Sequence, residues 1–432
     1  MFSLIHNPRT FLRFIFGIVF LMCFLTNMVS GGPLAAQHLR DAFRGHRPWK
    51  TDTNERRDDD ITQSQSQSSP QQGNVIRVAA SPIQIDPHGV YIRASPLYSS
   101  SSSSDGRHPD TSRIIAGFAS TSGSDRVLRV SSSSNSGASW SPLGEITRFP
   151  SDGTHDLDNA MPLALPSGRI LFAFRHHSLS PSSSTGFHYT FYRLEICSSS
   201  DGGRTWSFLS HIDQRPASSS GKKNGLWEPF LRLAADGNTI QAYYSSENSA
   251  GDQDNLMRYS TDEGKTWSDP PILVSSSPTA DSRDGMTGVS AISSSSPREL
   301  ICVFETTSPD GTFSIARVLS HDDGRTWGER ENVYMAQGGK WAGAPQVYLV
   351  GDTLVTSFLT NEGTELPKID GAYTKVVVSK DSGKTWTETG KAETVAGTGS
   401  HWPGLYSLNG THFLALYSTD EMGAVSHLHS VS

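Results

Sequence analysis

Two glutamates stand where a charge is costly. Glu228 lies in NGLWEPFLR, between Trp227 and Pro229 and ahead of an apolar run; Glu305 follows the apolar run of ELICVFETT. A carboxylate in such a setting must be paired, hydrogen-bonded or used. Two carboxyl groups facing one cleft are the machinery of glycosidic-bond hydrolysis. One gives a proton to the leaving oxygen, and the other serves as nucleophile or as base for a water. Whether the two meet depends on the elements that carry them.

Internal repetition defines those elements. An octapeptide of pattern Ser-x-Asp-x-Gly-x-Thr-Trp recurs five times, as SSNSGASW, SSDGGRTW, STDEGKTW, SHDDGRTW and SKDSGKTW. The first copy is degenerate, with Asn135 in place of the aspartate; the others carry Asp201, Asp262, Asp322 and Asp381. Each reads as a hairpin turn, with Asp accepting backbone amides and Gly taking a positive φ. Five near-identical turns imply five identical structural jobs, so these aspartates are read as scaffold. A second turn recurs within each period, in LPSGRI, AADGNT, SSSSPREL, LVGDT and SLNGTH, flanked by apolar runs. Each unit is then strand A, turn, strand B, loop, strand C, Asp turn, strand D. Six such four-stranded antiparallel units predict an all-β, six-bladed β-propeller. The chain ends after strand C of blade 6, so the strand at 74–85 is expected to supply its fourth strand and close the ring.

This topology puts every Asp turn on one face. The start of each strand A, the end of each strand B and the B–C loops fall on the other, where a rigid scaffold carries its sites. Glu228 opens strand A of blade 3, and Glu305 ends strand B of blade 4. The candidate substrate-binding groups on this face are Arg93, Asp158, Asn159, Arg175, Trp227, Tyr244, Arg283, Asp284, His401 and Trp402. His176, Ser246 and Glu247 lie beside them. The purely structural alternatives are an ion pair of Glu228 with an arginine such as Arg283, a strand-capping role for Glu305, and packing roles for Tyr244 and Trp402.

The rest of the chain bounds the setting. Arg9 and Arg13 precede the apolar run 14–25, which is short for a bilayer span, where roughly 20 residues are usual. Residues 1–36 are therefore expected to be a cleaved signal peptide, with a signal anchor as the alternative, and the protein to be secreted without a membrane attachment. Residues 37–73, charged and then Gln/Ser-rich, read as a disordered linker or propeptide, and 74–432 as the propeller domain. Of three cysteines, Cys197 and Cys302 remain after the signal and read as buried free thiols. Asn409-Gly-Thr is a glycosylation sequon expected on an exposed turn. The net charge of −7, without a basic block, gives no nucleic-acid footprint. A closed ring has no free sheet edge, so a monomer is expected.

The repeated octapeptide resembles the Asp-box of sialidase-like propellers, which marks a fold and not a reaction. Two stretches are sharper: GLWEPFLRLAADGNTIQAYYSSEN with DQDNLMRYSTDEGKTW, and SRDGMTGVSAIS followed by ICVFETT. With AGAPQVYLVGDTLVTSFLTNE and WPGLYSL, they resemble glycoside hydrolase family 93, largely fungal exo-1,5-α-L-arabinanases, over about residues 75–432. The resemblance implies a retaining enzyme that removes arabinobiose from the non-reducing end of linear 1,5-α-L-arabinan. It places the catalytic glutamates at Glu228 and Glu305; Glu228 is taken here as the acid/base and Glu305 as the nucleophile, with the opposite assignment left open. It calls for no metal or cofactor, and no metal-ligand spacing is visible. Two rivals use the same fold. An exo-sialidase needs three arginines and a tyrosine nucleophile, and IRASPL stands where its Arg-Ile-Pro is expected. A non-catalytic carbohydrate-binding propeller needs neither glutamate.

Overall fold

The computed structural model describes residues 75–99, 108–182, 186–277, 282–308, 310–387 and 391–432. The expected signal segment and linker lie outside them. The described residues contain strands and turns and no helix.

Six antiparallel sheets follow one another along the chain. Blade 1 is β3 (Val90–Tyr98), β4 (Pro109–Ser122), β5 (Asp125–Ser133) and β6 (Ser141–Pro150), after the short strands β1 (Ile76–Val78) and β2 (Ile83–Asp86). Blade 2 is β7 (His155–Ala164), β8 (Ile170–Ser182), β9 (Gly186–Ser199) and β10 (Ser207–Pro216). Blade 3 is β11 (Leu226–Leu233), β12 (Ile240–Glu247), β13 (Gln253–Ser260) and β14 (Ile272–Ser275). Blade 4 is β15 (Gly285–Ala291), β16 (Leu300–Thr307), β17 (Phe313–Ser320) and β18 (Gly328–Tyr334). Blade 5 is β19 (Ala342–Val350), β20 (Thr353–Thr360), β21 (Tyr373–Ser379) and β22 (Glu393–Ala396). Blade 6 is β23 (Ser400–Ser407), β24 (His412–Thr419) and β25 (Gly423–Val431).

The first strand of each blade touches the first strand of the next, and β23 touches β3, so the six make a closed ring. The sheet of blade 6 is completed from the N-terminal side, as the strand count requires. The expected single strand at 74–85 is divided. β1 and β2 both pair antiparallel with β25, at Ile76↔Val431 and Ile83↔Ser426. Pro82 lies in the break, where a residue without an N–H cannot extend the ladder.

Second strands such as β12 and β16 are nearly continuous apolar runs because both faces are covered by neighbouring blades. The core consequently lies between blades: Leu231 and Tyr243 of blade 3 pack with Cys302 and Phe304 of blade 4 in one cluster. Cys197 and Cys302 are buried free thiols. Each Asp turn closes on itself. Ser199 Oγ donates to Asp201 Oδ1 at 2.7 Å, Thr205 Oγ1 to Oδ2 at 2.6 Å, and the amide of Gly203 to Ser199 Oγ at 2.9 Å. The turns of Asp262, Asp322 and Asp381 repeat this pattern, and Asn135 accepts from Ser133 and Ser139 in the first. Asn409 is exposed on the turn between β23 and β24.

Candidate active site

At the start of every inner strand the ladder skips. The register shifts between Val90 and Arg93, Asp158 and Met161, Trp227 and Phe230, Gly285 and Gly288, Gly343 and Gln346, and His401 and Gly404. Inside each bulge one non-glycine residue has a left-handed backbone: Tyr91, Asn159, Glu228, Met286, Ala344 and Trp402, with φ between 48° and 59°. A bulge re-aims a side chain, and such a backbone costs a non-glycine residue about 1–3 kcal/mol. Tyr91, Met286, Ala344 and Leu359 form one buried cluster, with Trp402 and Ile369 packed on it. Residues from blades 1, 4, 5 and 6 meet there, so the bulges make the floor of the central funnel. One side of that floor is apolar. Asn159 and Glu228 make the other side polar.

Glu228 and Glu305 both reach this floor and both keep partial exposure. Glu228 Oε2 accepts from Ser245 Oγ at 3.1 Å and from the amide of Met286 at 3.4 Å. Glu305 Oε2 accepts from the amide of Ala344 at 2.7 Å. The two carboxylates approach across β15, since Gly285 pairs with Glu305 and Met286 bonds Glu228. Gly343 leaves room for both side-chain tips here: a Cβ would lie 2.7 Å from Glu305 Oε2 and 2.7 Å from Ile369 Cδ1 and would push them aside.

Burial, then the charge of Glu228, pushes the Glu305 carboxyl up to about 7, against the Ala344 amide and Arg283. Burial also raises Glu228, but Arg175 opposes it most, followed by Ser245, the Met286 amide and Arg283. Of the two carboxyls, Glu305 is the one its surroundings favour more strongly in the neutral form, while Arg175 favours the anion at Glu228. This ordering runs opposite to the sequence assignment of acid/base to Glu228 and nucleophile to Glu305.

Arg175 is buried, with Nη2 3.1 Å from Asp156 Oδ1, Nη1 2.9 Å from Asn159 Oδ1, and its guanidinium 5.4 Å from the Trp227 ring. Tyr189 donates to Asp156 Oδ2 at 2.9 Å. Arg283 Nη2 lies 3.1 Å from Glu247 Oε1 and 2.9 Å from Gln253 Oε1. Arg93 is buried 4.1 Å over the Tyr91 ring, with Nη1 bonded to the carbonyls of Ile92 and Trp402. Asp158 is joined to Arg126 at 2.9 Å and accepts the Asn159 amide, so it steadies the floor. His401 stands between Asp370 and Asp420, at 2.6 and 3.4 Å. Burial opposes its charge, but the two carboxylates outweigh it and hold the imidazole at about 9.

Two expected binding residues are placed elsewhere. Tyr244 is fully buried between blades 2 and 3, its hydroxyl donating to Asp213 Oδ2 at 2.8 Å. Side chains alternate along a strand, and the next residue, Ser245, is the one that meets Glu228. Asp284 is also fully buried, paired twice with Arg330 at 2.6 and 2.9 Å and bonded by Thr306 at 2.7 Å, so it is structural. Sequence reasoning missed Tyr91, Asp156, Ser245, Met286, Ala344 and Ile369. One signal was present: positions 228, 286, 344 and 402 are spaced 58 apart, and Pro follows at 229, 345 and 403. Among the described residues, no group of three or more His, Cys, Asp or Glu side chains is arranged to hold a metal ion.

No family model matches the chain, and no curated protein sequence does. Solved structures do match its fold. A GH93 α-L-arabinofuranosidase of Fusarium graminearum, determined with arabinobiose, aligns with TM-score 0.57 at 18% identity, over 82% of this chain and 98% of its own. An α-L-arabinanase of Penicillium chrysogenum, also with arabinobiose, aligns with TM-score 0.56 at 20% identity, over 83% and 98%. A protein of unknown function from Dyadobacter fermentans aligns with TM-score 0.56 at 14% identity, over 83% and 100%. At these identities the likeness shows a shared fold, which in this chain is a six-bladed β-propeller.

Proposed function

We propose that this protein is a secreted glycoside hydrolase, a retaining exo-arabinanase that releases arabinobiose from the non-reducing end of linear 1,5-α-L-arabinan. The observation that carries the reading is the pair of partly exposed glutamates on the funnel floor, with the proton biased to Glu305 by Arg175 beside Glu228. Carboxylates drawn into a largely apolar setting cost stability unless they are paired, hydrogen-bonded or used. The arabinobiose held by two proteins of the same fold supports the substrate class. Secretion is supported by the basic and apolar N-terminal residues, 9–25.

In this mechanism Glu305 is the acid/base and Glu228 the nucleophile. Glu305 donates its proton to the leaving glycosidic oxygen as a Glu228 carboxylate oxygen bonds to the anomeric carbon. Glu305, now ionised, takes a proton from water; the hydroxyl bonds to the anomeric carbon and Glu228 leaves as carboxylate. Two displacements retain configuration. Removing a general acid costs about 10²–10⁴-fold in rate. The sialidase reading is less favoured because Arg175 and Arg283, two of the cations it would draw on, are already engaged with Asp156 and Glu247.

Product analysis on linear arabinan tests the reading, with NMR of the first-formed anomer. Arabinobiose of retained configuration is expected, and Glu305→Gln is expected to keep more activity on an activated aryl arabinoside than on arabinan, whereas Glu228→Gln loses both. Release of sialic acid from a fluorogenic sialoside, or near-full arabinan activity of either variant, would sink it.

A further inference from the structure

The apolar side of the funnel floor is not made by the bulges alone. Residues 361–372, between β20 and β21, bring Ile369 onto the cluster of Tyr91, Met286 and Ala344. A Cβ on Gly343 would lie 2.7 Å from both Ile369 Cδ1 and Glu305 Oε2, so those two atoms are at most 5.4 Å apart. Ile369 is thus an apolar neighbour of the Glu305 carboxyl.

This loop is tied down at both ends. Asn361 Oδ1 accepts the Trp341 amide at 2.7 Å, and Asn361 Nδ2 donates to the Leu366 carbonyl at 2.9 Å. The Ala372 amide closes a turn on the Ile369 carbonyl at 3.0 Å, and the Gly399 amide donates to the Gly371 carbonyl at 2.6 Å. Next to Ile369, Asp370 grips His401 Nδ1 at 2.6 Å, while Asp420, from the turn between β24 and β25, faces His401 Nε2 at 3.4 Å. His401 adjoins Trp402, itself part of the floor.

We propose that Ile369 is a positioning residue for the acid: it keeps water from the Glu305 carboxyl, and the Asp370–His401–Asp420 clamp holds it in place. The inference rests on Glu305 being the proton donor of the proposed reaction. Its physical basis is that an apolar neighbour disfavours the charged form of a carboxyl. The other groups facing Glu305 are Glu228 from β11, Arg283 ahead of β15 and the Ala344 amide from β19. Of the loop's own acids, Glu362 is turned away to Tyr334 and Lys375.

The test is the midpoint of Glu305 ionisation in the full-length protein, read from the protonated-carboxyl band in difference infrared spectra and assigned by its loss in Glu305→Gln. Wild type is expected near 7. Ile369→Ala is expected to lower the midpoint by about one unit or more, Ile369→Leu to restore it, and Asp370→Asn to lower it by less. The high-pH limb of arabinan hydrolysis should move with the midpoint. An unmoved midpoint in Ile369→Ala with an unchanged melting curve overturns the role of Ile369, and an unmoved midpoint in Asp370→Asn overturns the clamp. If Ile369→Ala does not fold, Asp370→Asn alone decides. Should the midpoints shift as expected in a protein that leaves arabinan intact, the shielding of Glu305 by Ile369 stands, and the arabinan reading with its proton-donor role falls.

Discussion

A carboxyl kept protonated by its surroundings weakens the fold wherever the unfolded chain would have released that proton. Glu305 ionises near 7 when folded and near 4.5 when exposed. Between those values the folded state holds more protons than the unfolded one, so stability falls as pH rises through the window. At 1.36 kcal/mol per unit the full penalty is roughly 3 kcal/mol, reached above pH 7. At pH 5 it is under about 1 kcal/mol. Glu305→Gln keeps an oxygen for the Ala344 amide but cannot ionise, so it should abolish the penalty while losing most of the arabinan activity. For a domain of roughly 360 residues, with an unfolding entropy of about 2.1 cal/mol/K per residue, 3 kcal/mol corresponds to about 4 °C in Tm. Calorimetry of both proteins at pH 5 and pH 8 measures the difference. The variant should melt about 4 °C above wild type at pH 8 and within about 1 °C at pH 5. Equal shifts at the two pH values, or a less stable variant at pH 8, would refute the electrostatic account of this site.

Three other substitutions test the surrounding construction. Gly343→Ala places a methyl 2.7 Å from both Glu305 Oε2 and Ile369 Cδ1; it should cut kcat at least tenfold and cost about 1–3 kcal/mol by denaturant titration. Arg330→Met leaves Asp284 fully buried and unpaired; a loss of about 3–5 kcal/mol is expected, and a loss below 1 would mean that Asp284 is not held by that pair. Ala344→Gly should be within about 0.5 kcal/mol of neutral, unlike most strand Ala→Gly changes, because glycine relieves a left-handed backbone while giving up a methyl and chain stiffness.

The propeller was legible because repetition announces itself: an octapeptide returning at steady intervals needs only period and turn chemistry to become blades. Glu228 and Glu305 were legible because a charge beside an apolar run is conspicuous. What the sequence concealed is the bulge. Tyr91, Asn159, Glu228, Met286, Ala344 and Trp402 share a backbone conformation and almost nothing in side-chain type, so no propensity marks it. Ordinary alternation along β12 then gives the position facing Glu228 to Ser245 in place of Tyr244. Asp284 was misplaced for another reason. Its partner Arg330 comes from β18, the outer strand of the same blade, a contact that nothing local in SRDGMTG foretells. The different electrostatic settings of the two glutamates were equally hidden, since they depend on Arg175, which arrives from blade 2.

The repeated bulge also bears on how the site is held ready. Strain in the backbone at Glu228, taken alone, would suggest a conformation imposed for catalysis. Ala344 and Met286 adopt the same conformation with no carboxylate to aim, so the propeller imposes it on all six blades and Glu228 inherits it. A carboxylate on such a position is fixed by the rigid ring before any ligand arrives, which is the condition for precise alignment with a reacting atom. Glu305 lies on the second strand β16 and at no bulge, so the two glutamates differ in backbone position as well as in what the neighbouring blades contribute. Blades 1, 4, 5 and 6 supply apolar floor, which favours a neutral carboxyl. Blade 2 supplies Arg175, which favours the anion at Glu228. Two chemically identical groups thus acquire different electrostatic settings from different strand positions and different neighbours.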